Sequence, residues 1–158
     1  MVKINKRNFY IDAGIVVLAI LLIFFIPKYT ATENLNSTGR IIDKNVEKIE
    51  VIHFHGTRQC NTCIAVGKLA EETINENFKF DVASGKISFE HVNIELPENS
   101  ELVEKYGVTG ASLWIGVYTK DGFHPEENVD VWYKIGNPEE YKIYLTDLLV
   151  KRFKGDFS

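Results

Sequence analysis

Residues Phe9 to Ile26 form an 18-residue run that carries one charge, Asp12. At 1.5 Å of rise per residue a helix of that length spans about 27 Å, close to the hydrocarbon thickness of a bilayer. The run is apolar on every side, unlike the one-sided stripe of a helix that packs on a core. Pro27 and Lys28 end it, and Lys3, Lys6 and Arg7 precede it with no acid among them. That asymmetry places the N-terminus in the cytoplasm and the rest of the chain outside. A cleaved secretory signal is the competing reading, but Pro27 to Thr32 offers no convincing small-x-small cleavage site. Either way the body is exported, into surroundings that tolerate disulfides. The expected organisation is a cytoplasmic N-terminus (1-8), a single-pass transmembrane anchor held in lipid (9-27), a flexible polar linker (28-46) and one globular domain (47-158).

Charge divides at the same boundary. The first 46 residues hold six Lys or Arg against three acids, whereas residues 47 to 158 hold twelve against nineteen. An acidic body argues against nucleic acid or an anionic membrane face as its ligand. No internal repeat or low-complexity block interrupts it.

Within the body, Lys48 to His55 (KIEVIHFH) is too short and too rich in Ile and Val for a helix, and reads as a strand buried on both faces. Gly56 to Gln59 forms a loop into Cys60. The positions Cys63, Val66, Ala70, Ile74 and Phe78 then recur at spacings of three and four, one face of a helix. Lys86 to Ile94 alternates as a second strand, with His91 as a packing residue. Asn99 or Ser100 can cap a short helix that Gly107 closes. Ser112 to Thr119 is a third strand, and Lys120-Asp121-Gly122 a turn. Val129 to Ile135 is expected to return antiparallel as the fourth strand, with His124 on the surface of the connection. Asn137, Pro138 and Glu140 announce a final helix through a cap, a first-position proline and a capping box. Tyr141, Leu145, Leu148 and Arg152 carry its stripe. The order β-α-β-α-β-β-α predicts an α/β fold, a mixed central sheet with helices on both faces.

Both cysteines sit where the first strand feeds the first helix, in the run His53 to Cys63 (HFHGTRQCNTC). Unpaired amides and the positive end of the helix dipole stabilise a thiolate at the first cysteine of such a pair. A free thiol can fall there by about one to several pKa units. The second cysteine lies one turn later, close enough to close a strained, reducible disulfide. Cys60 is thus the expected nucleophile and Cys63 the resolving thiol. Arg58, two residues earlier, can add positive charge to the thiolate. A structural staple is disfavoured, because so short a loop gains little chain entropy. A soft-metal site remains open: Cys60, Cys63, His53 and His55 are four ligands suited to Cu or Zn.

The body, from about Glu47 to Phe153, resembles a thioredoxin-fold protein. The likeness rests on Cys60-Asn61-Thr62-Cys63, on Val92 to Glu95, on Lys105-Tyr-Gly-Val-Thr-Gly110, on Lys120-Asp121-Gly122 and on Lys134-Ile135-Gly136. More narrowly, the run His53 to Cys63 is similar to thioredoxin-like proteins named as a nitrophenyl-compound nitroreductase subunit. Three positions depart from the family pattern. Gln59 stands where a tryptophan usually precedes the first cysteine. His53 and His55 occupy the strand that often supplies a buried acid, so the proton acceptor for Cys63 is left open. Ser112 stands where the resemblance implies a cis-proline that shapes the substrate groove and keeps metal from the thiols. A trans Ala111-Ser112 peptide is the default there, and the Ser112 hydroxyl becomes a candidate partner for a thiolate.

These readings predict a membrane-tethered, extracytoplasmic thiol–disulfide oxidoreductase acting on a protein redox partner or an exported thiol substrate. Cys60 and Cys63 are its catalytic residues, modulated by Arg58, Ser112 and His55, with no cofactor. A Cu or Zn carrier module is one alternative. A non-catalytic thioredoxin-fold accessory subunit is the other, presenting Trp114, Tyr118, Trp132 and Tyr133.

Overall fold

The computed structural model describes residue 43 and residues 45–158. The expected anchor, the N-terminal segment and nearly all of the linker lie outside the described residues. Among the described residues no helix is long and apolar enough to cross a membrane.

Four strands form one mixed sheet in the order β2-β1-β3-β4: β1 (Val46–His55), β2 (Ile87–Asn93), β3 (Ser112–Thr119) and β4 (Gly122–Asn128). β1 runs parallel to β2 and antiparallel to β3, and β3 runs antiparallel to β4. The central strand β1 is apolar on both faces because both are covered. Ile49, Val51 and Val46 join Leu113, Ile115 and Val117 in one core, roofed by Val66, Ala70 and Ile74 of α1 (Asn61–Asn77) and by Tyr141, Leu145 and Leu149 of α4 (Pro138–Phe153). Ile52 and Phe54 point to the other face, where Tyr106, Leu102 and Val103 of α3 (Ser100–Tyr106) pack with Val92 and Trp114. The predicted α/β architecture, a mixed sheet with helices on both faces, is present.

Local details depart from expectation. The α1 stripe breaks at Phe78 (φ −127°, ψ 26°), and a separate short helix, α2 (Lys79–Ala83), follows. Asn99 does not cap α3; its side-chain amide donates to the Asn93 carbonyl at 2.8 Å, after a 3-10 turn at Pro97–Asn99. Asn137 caps α4 by accepting from the Glu140 amide at 3.3 Å. Glu140 itself takes Lys134 at 2.9 Å instead of closing the box.

The fourth strand is earlier than its apolar pattern implies. Gly122, at φ 143°, lets the chain turn back at once, and Thr119 pairs with Gly122. The stretch expected to be the strand is instead a 3-10 turn, Asp130–Tyr133, that drops Val131 into the core. Phe123 to Glu127 escapes a strand reading because it carries Pro125 and two acids. An edge strand tolerates both, and Pro125 lies opposite Gly116.

Candidate functional site

Cys60 is the N-cap of α1, with extended backbone (φ −81°, ψ 165°), and its carbonyl accepts the first helical bond from the Ile64 amide at 3.1 Å. Its thiol is exposed and closes no side-chain capping bond. The amides of Cys63 and Thr62 nonetheless face it and hold its pKa below that of an ordinary thiol. Arg58 is exposed in the preceding loop and does not figure among the groups that lower it.

Cys63 is the opposite case. It is 4% exposed, and burial pushes its thiol up, with the charge of Cys60 adding to the effect. Its sulfur lies 3.4 Å from Nε2 of His53. His53 is fully buried, and burial followed by the neighbouring His91 and His55 depresses it to about 4. At neutral pH the ring is therefore uncharged and carries a single N–H.

Beyond His53 the contacts continue. β1 and β2 place His53 and His91 directly opposite each other, and their Nδ1 atoms are 3.0 Å apart. Nε2 of His91 stands 3.5 Å from a carboxylate oxygen of Glu71 on α1. His91 is not the packing residue expected of a mid-strand histidine: its side chain is 41% exposed. His55 turns its Nδ1 to the Gly56 carbonyl at 2.9 Å, which fixes that nitrogen as the donor. Together with Gln59, Ile64 and Lys68, the three histidines and Glu71 line an open cleft of about 310 Å³ beside the thiols.

One glycine makes this arrangement possible. Gly67 sits inside α1, where glycine costs about 1 kcal/mol relative to alanine. A Cβ there would lie 2.3 Å from Nδ1 of His53 and 2.8 Å from Cε1 of both His53 and His91. The helix crosses the histidine pair at a distance that no side chain allows. A lone glycine within a helical pattern is the signal in the sequence that points to it; Glu71 carries no such signal, and His91 reads there only as a packing residue.

The remaining predicted residues fall elsewhere. Ser112 opens β3 opposite Phe54, 2% exposed, and its hydroxyl has no hydrogen-bond partner, so it bonds to neither thiol. The described residues contain no cis peptide bond, so Ala111-Ser112 is trans. Cys60, Cys63, His53 and His55 are not gathered around one point. Among the described residues no group of three or more His, Cys, Asp or Glu side chains stands so as to hold a metal ion. The four aromatics of the accessory-subunit reading do not form one surface. Tyr118 donates to Glu50 at 2.6 Å, Trp114 packs beside Tyr106, Trp132 packs on the opposite core, and Tyr133 is exposed.

No family model matches the chain, and no curated protein matches it. Among solved structures, one described as "Structure of a malarial protein" is 14% identical, with 52% of this chain and 82% of that chain covered and a TM-score of 0.35. A likeness that weak carries no argument about fold or activity.

Proposed function

We propose that this chain is a thioredoxin-like thiol–disulfide oxidoreductase, tethered by residues 9–27 and acting outside the cytoplasm on a partner's dithiol or disulfide. The observation that carries the proposal is the inequality of two sulfurs one helical turn apart. Cys60 is exposed among amides that favour its thiolate, and Cys63 is buried with a thiol that favours its proton. The strand order β2-β1-β3-β4, with the pair at the junction of β1 and α1, supports the thioredoxin-like reading.

In the reducing direction, the Cys60 thiolate attacks one sulfur of a partner disulfide. An S–S bond forms to Cys60 while the partner's bond breaks, and one partner thiolate leaves with its electron pair. Cys63, once deprotonated, attacks Cys60, and the second partner thiolate leaves. Two electrons pass from the dithiol to the partner, and the chain is left with a Cys60–Cys63 disulfide. Facing a partner dithiol of lower reduction potential, the same steps run in reverse: a partner thiolate attacks Cys60 of the disulfide, Cys63 leaves and is protonated, and the partner is left oxidised.

Alkylation of the reduced full-length protein with iodoacetamide, followed against pH by mass, tests this. Cys60 is expected to react at neutral pH well above the rate of an unfolded thiol, and Cys63 to resist until the chain unfolds. Cys63→Ser is expected to accumulate a mixed disulfide through Cys60. Equal, slow alkylation of both thiols overturns the proposal.

A further inference from the structure

Resolution of the mixed disulfide requires Cys63 to lose a proton while it is sealed from water. A free carboxylate beneath it would serve, but the group in contact with its sulfur is His53. That ring exposes no surface of its own to solvent. Its far nitrogen meets His91, whose opposite nitrogen reaches the cleft and Glu71.

We propose that His53 and His91 form a proton wire that carries the Cys63 proton to Glu71 and the water of the cleft. The inference rests on the oxidoreductase reading above.

The contacts accommodate a continuous set of donors for the reduced state. The Cys63 S–H donates to Nε2 of His53, the Nδ1–H of His53 donates to Nδ1 of His91, and the Nε2–H of His91 faces Glu71. When the Cys63 sulfur attacks Cys60, its proton forms a bond to His53 Nε2. The Nδ1 proton of His53 moves to Nδ1 of His91, and the Nε2 proton of His91 passes to the Glu71 carboxylate or to water. One proton enters and one leaves each ring, so neither histidine retains a charge. Afterwards each ring carries its proton on the other nitrogen, and reduction of the disulfide runs the shift backwards.

The depressed basicity of His53 suits this role. A ring that cannot hold a second proton near neutrality passes one on rather than storing it. The charged and titratable groups around the wire are Cys60, Cys63, Lys68 and Glu71 from α1 and its cap, His55 from β1, and His91 from β2. Gly67 keeps the helix backbone against both rings. His53 touches the reacting sulfur and is a catalytic residue. His91 and Glu71 act through it.

The reduced full-length protein is mixed with an excess of an aromatic disulfide whose released thiolate is coloured. The first equivalent of colour reports attack by Cys60, and the second reports resolution by Cys63. In His91→Phe, whose side chain lies in the cleft, the first phase is expected to keep its rate. The second is expected to slow about tenfold or more at neutral pH and to recover as pH rises toward the thiol's own ionisation. Glu71→Gln should give a smaller slowing of the same phase. Two unchanged phases in His91→Phe overturn the wire and leave the oxidoreductase reading intact. Absence of a fast first phase in the unaltered protein instead removes the oxidoreductase reading. Nitrogen NMR of the reduced protein reads the wire independently of turnover: His53 is expected to carry its proton on Nδ1, and a proton on Nε2 there overturns the proposal.

Discussion

The sulfur of Cys63 rests 3.4 Å from Nε2 of His53, a ring with no exposed surface. This contact ties thiol chemistry to stability, because the same burial that keeps His53 uncharged makes protonation costly. An unfolded histidine takes up a proton near 6.5, whereas this one waits until about 4. Between those values the unfolded chain binds more protons than the folded one, so stability rises with pH across the window. The contribution is fully present above 6.5 and is lost as pH falls toward 4, and it amounts to about 3 kcal/mol at its largest. Urea unfolding of the reduced protein at stepped pH is expected to show this slope, and His53→Gln to flatten it. An equal slope in the variant would mean that other groups govern acid sensitivity.

Gly67→Ala sets two effects against each other. Alanine favours the helix by about 1 kcal/mol, but its methyl would occupy space already held by His53 and His91. Neither ring is the free end of a flexible chain, and His53 is fully buried. Overpacking of this kind costs about 1–3 kcal/mol, so net destabilisation is expected. The rings must also shift, which draws His53 away from Cys63. Thermal unfolding should show a lower midpoint, and resolution by Cys63 should slow while Cys60 alkylation holds. A more stable Gly67→Ala protein with normal resolution would contradict the packing described here.

What the sequence disclosed follows from the range of each signal. The helix stripe from Cys63, the Ile- and Val-rich run up to His55, and Asn137-Pro138 before α4 are local patterns, and each element formed. Cys60 and Cys63 were legible because a short motif at a strand-to-helix junction fixes its own geometry. His91 was not, because its place is set by pairing with His53, thirty-eight residues away in sequence. The roles of Glu71 and Gly67 likewise exist only once α1 lies across both strands. β4 was misplaced because Val129 to Ile135 looks more strand-like than an edge strand bearing Pro125, Glu126 and Glu127. Ser112 was expected near the thiolate by position in the motif, but its hydroxyl bonds to neither sulfur.

Arg152 gives a test of the fold that leaves the thiols alone. It ends the α4 stripe almost fully buried, and its guanidinium meets Glu126 of β4 through two bonds, Nε to Oε1 at 2.7 Å and Nη2 to Oε2 at 2.9 Å. The fork joins the edge strand to the last helix. Glu126→Gln would leave a buried cation without its counter-charge, which costs about 3–5 kcal/mol when fully sealed. Since Glu126 is partly exposed, a loss toward the lower figure is expected in urea unfolding, with Cys60 alkylation unaltered. A loss below about 0.5 kcal/mol would place the pair with ordinary surface bridges.

Ser112→Ala separates a functional hydroxyl from a merely buried one. A buried hydroxyl without a partner carries a penalty of about 1–3 kcal/mol, and alanine removes the oxygen while leaving only a small void. The variant is therefore expected to be as stable as the parent or more so by about 1 kcal/mol, measured by urea unfolding. Because the hydroxyl reaches neither sulfur, the pH profile of Cys60 alkylation should stay where it is. A profile moved to higher pH would mean that Ser112 turns to the thiolate once it forms, and its hydroxyl would then serve the reacting sulfur directly.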